Sequence, residues 1–362
     1  RMAAPLTYPE AEASVPPSCR PQTSPTMRLP TLASTILATC LTPIAFGGPI
    51  DEPCGDWSAG FGVPGTTDVG STVIGGSYVS DFVVFDRGSG PALIAAGEIS
   101  IAGGTQANNV AQWDGSEWSA LGAGLDRTVT SLVVFDDGAG AGPRLIAGGL
   151  FSASGGDAIR GVAAWDGVRW NGLGVEIASL SVNDLVVFDD GTGEALYAAA
   201  SVWVQSSSRN VVLRWDGSDW TRVGAPMNGS IHALEVFDDG AGPRLFAGGQ
   251  FLTIGGLAAH GLARWDGTQW SEVAGGVGGG ATVAFPSVKV LRTLDVGAGP
   301  TLFVGGEFEM AGGTSARNVA RWDGQGWAGL GAGLGGGASA VRAFEAFDEG
   351  SGPRLFAAGH FS

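Results

Sequence analysis

The sequence predicts an all-β protein, a β-propeller of four-stranded antiparallel blades, and three observations lead to that prediction. The motif Trp-Asp-Gly-x-x-Trp occurs five times, starting at Trp113, Trp165, Trp215, Trp265 and Trp322. The copies start 52, 50, 50 and 57 residues apart, and a repeat of about 50 residues is typical of propeller blades. Short apolar segments rich in Val, Phe and Trp, bounded by Gly, Pro and Asp, accompany the copies, and no segment shows helical periodicity with caps.

Each Asp-Gly pair predicts the turn of a β-hairpin. A type I′ turn needs positive φ at both central residues, and Asp-Gly between two apolar runs is a strong signal for it. The two Trp of each motif then lie on either side of the turn. A single hairpin is marginally stable in water, so we expect the five hairpins to pack on one another.

Each repeat contains four predicted strands, which we name A to D in chain order. Strand A ends at Phe85, Phe135, Phe188, Phe237, Leu294 and Phe347. Strand B is an L-F/I-A-G-G-x-F run, strand C is V-A-x-W, and strand D is W-x-x-L/V. Apolar residues occupy consecutive positions of strand A, as in 132–135, which is typical of a strand covered on both faces. Blades stacked face to face in a ring cover both faces of each sheet.

The residue before each strand C is Asn or Gly, the two types that best tolerate the left-handed region. These residues are Asn109, Gly161, Asn210, Gly261 and Asn318. We therefore expect positive φ at all five positions.

The N-terminal part of the chain carries predictions about export. Residues 1–26 are rich in Pro and Ser and predict a disordered segment, or upstream sequence wrongly assigned to the protein. Residues 27–47 resemble a secretory signal peptide, with one Arg, an apolar stretch and small residues at its end, and residues 48–362 form the predicted propeller. The alternative is a lipoprotein anchored at Cys40. Both predict a secreted or cell-surface protein, and no other apolar run is long enough to span a bilayer.

The number of blades follows from counting strands. Six strands A begin but five repeats are complete, and the chain stops at Ser362 within strand B of the sixth. Trp57 predicts a lone strand D upstream, and an N-terminal strand that completes the last blade removes exposed sheet edges. We expect six blades, alternatively seven, in a chain that is cut short at its C-terminus. Only Cys54 follows the predicted signal peptide, so no internal disulfide is expected.

The charge composition of the chain excludes one class of binding partner. The net charge is −16 and charged residues make up 15% of the chain. Nucleic acid requires a basic surface, so we expect no nucleic-acid partner. The acidic balance is compatible with an exported protein or with cation binding.

The repeat resembles that of known propeller families. Gly248-Gly249, the segment 262–265, Asp266 and Trp270 resemble the kelch repeat, which the central domain of galactose oxidase shares. The G-G-x-F and W-x-x-L-G elements are also similar to the repeat of the fungal cortical cell-polarity marker family, and W-D-G-x-x-W-x-x-L-G resembles bacterial lectin propellers. The kelch resemblance implies partner binding on one rim of loops, and the lectin resemblance implies aromatic rings that stack on sugars.

Antiparallel A–B–C–D order places the B–C and D–A loops on one rim, which we call the basic rim. It carries the candidate partner-binding residues Arg160, Arg209, His260 and Arg317. Trp203 lies outside the repeat positions and is the best candidate for an exposed aromatic side chain. Loops that vary between blades on a constant scaffold are where binding usually occurs.

The opposite rim, with the A–B and C–D loops, we call the acidic rim. Its candidate calcium ligands are the doublets Asp136 and Asp137, Asp189 and Asp190, and Asp238 and Asp239. Calcium takes six to eight oxygen ligands, and adjacent carboxylates supply some of them. The alternative is a solvated turn with nearby Arg partners, so we expect no cofactor, with Ca²⁺ as the exception to test.

The pattern favours a non-catalytic binding or scaffold module at the cell surface or outside the cell, with a protein or glycan partner. The alternative is a lectin with repeated Trp-lined pockets between blades, and the third is a glycan-active enzyme. Three His at unrelated repeat positions and no recognisable catalytic motif argue against an enzyme. An enzyme would also need a carboxylate cluster at one non-repeated place, and the repeat pattern reveals none.

Overall fold

The computed structural model describes residues 78–360 apart from 89, 103–104, 139, 141, 175–179, 205–206, 281–282, 336–339 and 351. The predictions for residues 1–77, among them the signal peptide, Cys40, Cys54 and the strand at Trp57, lie outside the described residues. Regular structure in the described part is entirely β-strand, which confirms the all-β class. That part contains no helix of the length and apolarity that a membrane span requires.

Five antiparallel sheets of four strands follow one another, each with strands in the spatial order A-B-C-D. Blade 1 comprises Val79–Asp86, Pro91–Gly97, Val110–Trp113 and Trp118–Ala120. Blade 2 comprises Val129–Phe135, Arg144–Gly149, Val162–Trp165 and Trp170–Gly172. Blade 3 comprises Leu180–Asp189, Glu194–Val204, Ser207–Trp215 and Trp220–Arg222. Blade 4 comprises Ser230–Asp238, Pro243–Gln250, Leu262–Trp265 and Trp270–Glu272. Blade 5 comprises Ser287–Asp295, Pro300–Glu307, Val319–Trp322 and Trp327–Gly329, and strands A and B of blade 6 are Ala340–Asp348 and Pro353–His360.

The blades stack as those of a β-propeller. Strand A of each blade contacts strand A of the next, from blade 1 to blade 6, so strand A lies at the inner edge and strand D at the outer edge. Leu132 and Val134 pack toward blade 1, whereas Val133 and Phe135 pack toward blade 3. This confirms that both faces of strand A are covered. The number of blades in the complete ring stays a prediction.

In blades 2 to 5, the second Trp of the motif joins neighbouring blades. The indole Nε1 of Trp220 donates a hydrogen bond to the carbonyl oxygen of Leu173 at 2.9 Å, and that of Trp270 donates to Val223 at 2.9 Å. Trp170 and Trp327 make the equivalent bonds, to Leu121 at 3.2 Å and Val273 at 3.3 Å. The two rings of each motif lie 5.3–5.7 Å apart between centroids, within the range of favourable aromatic pairs. The periodic Trp therefore hold the blades together.

The Asp-Gly sites are hairpins, but the predicted turn type is wrong. Trp113 pairs with Trp118 across a loop of four residues, and within that loop only Gly115 has positive φ, at 101°. Oδ1 of Asp114 accepts hydrogen bonds from the amides of the two residues after Gly115, at 2.7 and 2.9 Å. Equivalent hydrogen bonds, first among them that from the amide of Arg169, lower the pKa of Asp166 to about 2. The Asp of the motif therefore stabilises the turn as a carboxylate.

Type I′ geometry occurs instead at the described Gly-Gly pairs of the B–C loops, 155–156, 255–256 and 312–313. The B–C loops form small hairpins that were not predicted from the sequence. Gly155 and Gly156 have φ of 57° and 103° between the paired residues Ser154 and Asp157. These hairpins are Ile101–Ala102 with Thr105–Gln106, Ala153–Ser154 with Asp157–Ala158, Thr253–Ile254 with Leu257–Ala258, and Met310–Ala311 with Thr314–Ser315, to which Val277–Gly278 adds a third strand.

Positive φ before strand C is confirmed in four of the five predicted places. Asn109, Gly161, Gly261 and Asn318 have φ of 71°, 69°, 74° and 63°. The prediction is wrong at Asn210, because strands B and C of blade 3 run on as one long hairpin and Asn210 pairs with Ser201 inside it. That hairpin carries Trp203, whose side chain is 58% exposed, as predicted.

Candidate functional site

A groove opens on the acidic rim between blades 1 and 2. Its volume is about 390 Å³, which lies within the range of small-molecule sites. Arg87, Gln112, Trp165 and Val168 line it. Phe85, Ile94 and Leu121 lie beneath the groove and are buried, so its accessible lining is mainly polar. The groove thus combines part of one aromatic ring, that of Trp165, with two side chains that carry several hydrogen-bond donors.

Ion pairs occupy the equivalent positions between later blades. Blades 2, 3 and 4 have Asp137, Asp190 and Asp239 where blade 1 has Arg87. In blade 3, Asp190 lies 3.5 Å from Nε of Arg214 and accepts a hydrogen bond from the hydroxyl of Tyr197 at 2.9 Å. In blade 4, Asp239 pairs with both Arg244 and Arg264. In blade 2, Asp137 pairs with Arg144. Blade 1 has no such pair at these positions because both residues, Arg87 and Gln112, lack a carboxylate.

In blades 2 to 5, the exposure of the first Trp of the motif differs in the same way between the groove and the filled positions. Trp215, Trp265 and Trp322 are 5%, 8% and 4% exposed, whereas Trp165 is half-buried. Its partner Trp170 is 1% exposed, so the blade interface itself is closed there. Trp165 therefore presents part of its ring to the groove and is still held by its pair with Trp170.

Arg87 lies across the turn of the next blade. A Cβ added at Gly167 would lie 1.1 Å from Nη1 of Arg87, so the guanidinium occupies space that only glycine leaves there. Gly167 has φ of 96°, which also favours glycine. Among the described residues Arg87 forms no ion pair, and it is one of the residues that line the groove. Arg87 and Gln112 lie outside the Trp-Asp-Gly motif and were not among the predicted site residues, although both differ from the residues at the equivalent positions of the later blades.

The carboxylates of the Asp doublets already have partners within their own loops. Oδ1 of Asp189 accepts hydrogen bonds from the amides of Gly191 and Gly193, and Asp238 accepts from Gly240 and Gly242 in the same way. Asp136 accepts from the amide of Gly138. Within the described ranges no group of three or more His, Cys, Asp or Glu is placed to hold a metal ion. Calcium binding at the six Asp stays a prediction.

The basic-rim candidates lie one per blade and are not gathered at one point. Arg160, Arg209, His260 and Arg317 are all exposed. Arg160, His260 and Arg317 precede strand C of blades 2, 4 and 5, whereas Arg209 lies within the long hairpin of blade 3, paired with Val202. Nδ1 of His260 pairs with Glu272. Their role in partner binding stays a prediction.

Carboxylates at the inner edge of the ring are a feature that the repeat pattern does not reveal. Asp81 accepts a hydrogen bond from the amide of Leu132 at 2.7 Å, and Asp184 accepts from the amide of Leu234 at 2.8 Å. Each bond runs from one blade to the next, so these two Asp join adjacent strands A. Burial raises the pKa of Asp81 to about 7 and also raises the pKa of Asp184.

At one position further along strand A, the earlier blades have an apolar residue and the later blades have a charged one. Glu235, Arg292 and Glu345 occupy the position that is Val in blades 1 to 3. Nη1 of Arg292 lies 3.9 Å from Oε2 of Glu235, and burial raises the pKa of Glu235 to about 7. These are non-repeated carboxylates of the kind that an enzyme would need, so the expectation that the protein is not an enzyme stays a prediction.

Comparisons with known proteins show a likeness to a solved structure. No family model matches the chain, and no curated protein matches it. Among solved structures, the chain is similar to a fungal lectin, that of Aleuria aurantia, described as a six-bladed β-propeller with a novel fucose recognition mode. The match has 15% identity and a TM-score of 0.37, and covers 77% of this chain and 94% of the lectin. A likeness at this level carries no argument about function. The resemblance to kelch and cortical-marker repeats stays a prediction.

Proposed function

We propose that the protein binds carbohydrate in the groove between blades 1 and 2. The observation that supports the proposal is the partly exposed Trp165 beside Arg87 and Gln112 in a groove of about 390 Å³. One face of a sugar ring consists of C–H groups, which pack on an indole, while its hydroxyls need directed hydrogen bonds. Arg87 donates through its guanidinium, and the amide of Gln112 both donates and accepts.

The proposal differs from the pattern of repeated identical pockets that the lectin resemblance implies. The structure fills the equivalent positions of blades 3 and 4 with the Asp190–Arg214 and Asp239–Arg264 pairs. Trp215, Trp265 and Trp322 are buried accordingly. Binding in the described blades is therefore expected at one groove, with weak affinity per site and without the gain that several equal sites provide.

The test converts the groove of blade 1 into the filled form of blade 3. The double variant Arg87→Asp, Gln112→Arg places Asp and Arg at the positions of Asp190 and Arg214. A glycan array with the full chain first identifies a bound sugar, and isothermal titration then compares affinities. We expect the double variant to bind at least tenfold more weakly and to remain folded, because it reproduces a pair that the fold already contains.

The matched control is Arg321→Gln in strand C of blade 5. Arg321 is the counterpart of Gln112, is exposed and lies away from the groove. Its substitution should leave sugar affinity unchanged. An array without any bound sugar, or equal affinities of the wild type and the double variant, would contradict the proposal.

A second candidate is the partner-binding scaffold, which is favoured by the exposed cations of the basic rim. Arg160, Arg209 and Arg317 occur at equivalent places in three blades, and Trp203 adds a 58% exposed indole in the long hairpin of blade 3. Arg and Trp are enriched at protein interfaces, and loops on a rigid scaffold are common binding surfaces.

A further inference from the structure

The β-bulge of strand A places one side chain per blade at the inner edge of the ring. The register of every strand A shifts at one residue, which is the second or third residue of the strand in five blades and the fourth in blade 3. The bulged residues are Ser80, Thr130, Asn183, His232, Lys289 and Arg342. A bulge redirects the side chain that it carries. Thr130 and Asn183 show the direction, because each donates a hydrogen bond to a carbonyl oxygen of the next strand A, at 2.8 and 2.6 Å.

The bulged residues change from neutral to basic around the ring. Blades 1 to 3 carry short polar side chains, whereas blades 4, 5 and 6 carry His232, Lys289 and Arg342 on three strands in direct contact. Lys289 is the only lysine in a chain whose net charge is −16. Three neighbouring basic groups are therefore not explained by the general composition.

The three groups affect one another electrostatically. Burial, and after it the charges of Lys289 and Arg342, together lower the pKa of His232 to about 4. Burial and Arg342 also lower the pKa of Lys289, while Glu307 acts in the opposite direction. Nε2 of His232 is buried and has no hydrogen-bond partner in the described part of the chain. A buried polar atom without a partner costs free energy, and so does a concentration of like charge.

We propose that His232, Lys289 and Arg342 form a binding site for an oxyanion, the carboxylate or phosphate group of a ligand, at the inner edge of blades 4 to 6. An oxyanion supplies acceptors for the ammonium of Lys289, the guanidinium of Arg342 and a protonated Nε2 of His232. The site begins strand A and therefore lies toward the basic rim, away from the groove of blade 1. It uses none of the residues of the proposed sugar site, so the two proposals succeed or fail separately.

The first test measures the thermal unfolding of the full chain during titration with sodium phosphate or sodium glucuronate, against sodium chloride at equal ionic strength. We expect a saturable rise in Tm with an oxyanion that chloride does not produce, because a ligand of the folded state raises stability. Phosphate and glucuronate distinguish a phosphate ligand from a carboxylate ligand. Equal shifts with chloride would overturn the proposal.

The direction of the change in Tm in the variant Lys289→Gln distinguishes the proposed binding site from a purely structural role of Lys289. If the site is unsatisfied without a ligand, removal of one charge raises Tm in the absence of oxyanion and weakens oxyanion binding at least tenfold. If Lys289 serves only to pair with Glu307, the same variant lowers Tm and leaves the oxyanion effect unchanged, which would overturn the proposal. Arg321→Gln is the control, and its oxyanion response should equal that of the wild type.

The imidazole resonances provide a measurement that does not depend on unfolding. The chain has three His, at positions 232, 260 and 360, so their NMR signals are separable by substitution. Saturating phosphate should raise the pKa of His232 by about one unit, since a bound anion favours the protonated ring. His260 and His360 should not shift by that amount. No change at His232 under saturating phosphate would overturn the proposal.

Discussion

Substitution of Gly224 by Ala tests how the blades are held together. Gly224 follows strand D of blade 3 with φ of 67°, and an added Cβ would lie 2.7 Å from Cδ1 of Trp270 and 2.8 Å from Cζ3 of Trp265. Gly331 holds the same place in the motif of blade 5, with φ of 56° and no atom within 4 Å of an added Cβ. The two positions share their backbone conformation and differ in their contact with the next blade.

The expected losses follow from that difference. Left-handed conformation costs a residue with a Cβ about 1–2 kcal/mol, and both variants incur this cost. Forcing an extra methyl group into a packed interface costs about 1–3 kcal/mol more, and only Gly224→Ala incurs it. The free energy of unfolding should therefore fall by about 2–5 kcal/mol in Gly224→Ala and by about 1–2 kcal/mol in Gly331→Ala.

Urea unfolding followed by Trp fluorescence measures both losses in the full chain. The 12 Trp give a large signal, and ten of them form the five pairs of the motif. The pair of Trp265 and Trp270 is the one that Gly224→Ala disturbs. Ala274 occupies this motif position in blade 4 with φ of 43°, so a residue with a Cβ in the left-handed conformation is compatible with the fold there. Equal losses in the two variants would refute the argument that the Trp pairs fix the spacing between blades.

Two further predictions concern the inner edge and the basic rim. Burial raises the pKa of Glu235 from 4.5 to about 7 in the folded state, so the stability that its neutral form contributes is present below pH 4.5 and is lost as the pH rises through 7. The free energy of unfolding, measured by urea unfolding, should therefore be lower at pH 8 than at pH 5, and Glu235→Gln should reduce this difference by up to about 3 kcal/mol. An unchanged difference would contradict the argument from burial. The combined variant Arg160→Gln, Arg209→Gln, Arg317→Gln should abolish capture of a protein partner if the basic rim binds one, in pull-down with the full chain. Unchanged capture would exclude these residues.

The fold could be predicted from the sequence because its signals repeat. Five copies of the Trp-Asp-Gly motif and apolar residues on both faces of strand A are sufficient for stacked four-stranded blades. The turn type could not be predicted from Asp-Gly alone, because the carboxylate of Asp114 binds the following amides and stabilises a four-residue loop. The exception at Asn210 depends on the length of the blade 3 hairpin, which no local pattern indicates.

The candidate sites lie where the repeat is broken, and for that reason the motif did not reveal them. Arg87 and Gln112 are ordinary polar residues in the sequence. They become candidate binding residues only because later blades have Asp–Arg ion pairs at the same positions and blade 1 does not. His232 and Lys289 become neighbours through a shared bulge, which is a property of strand register. Trp203 was predictable because it departs from the repeat positions.

The most direct test of the central claim is a crystal structure of the full chain with the sugar that a glycan array identifies. The account predicts a sugar ring packed on Trp165 between blades 1 and 2, with hydroxyl groups bonded to Arg87 or Gln112. A sugar bound at Trp203 or at another surface, with the groove empty at saturating concentration, would contradict it.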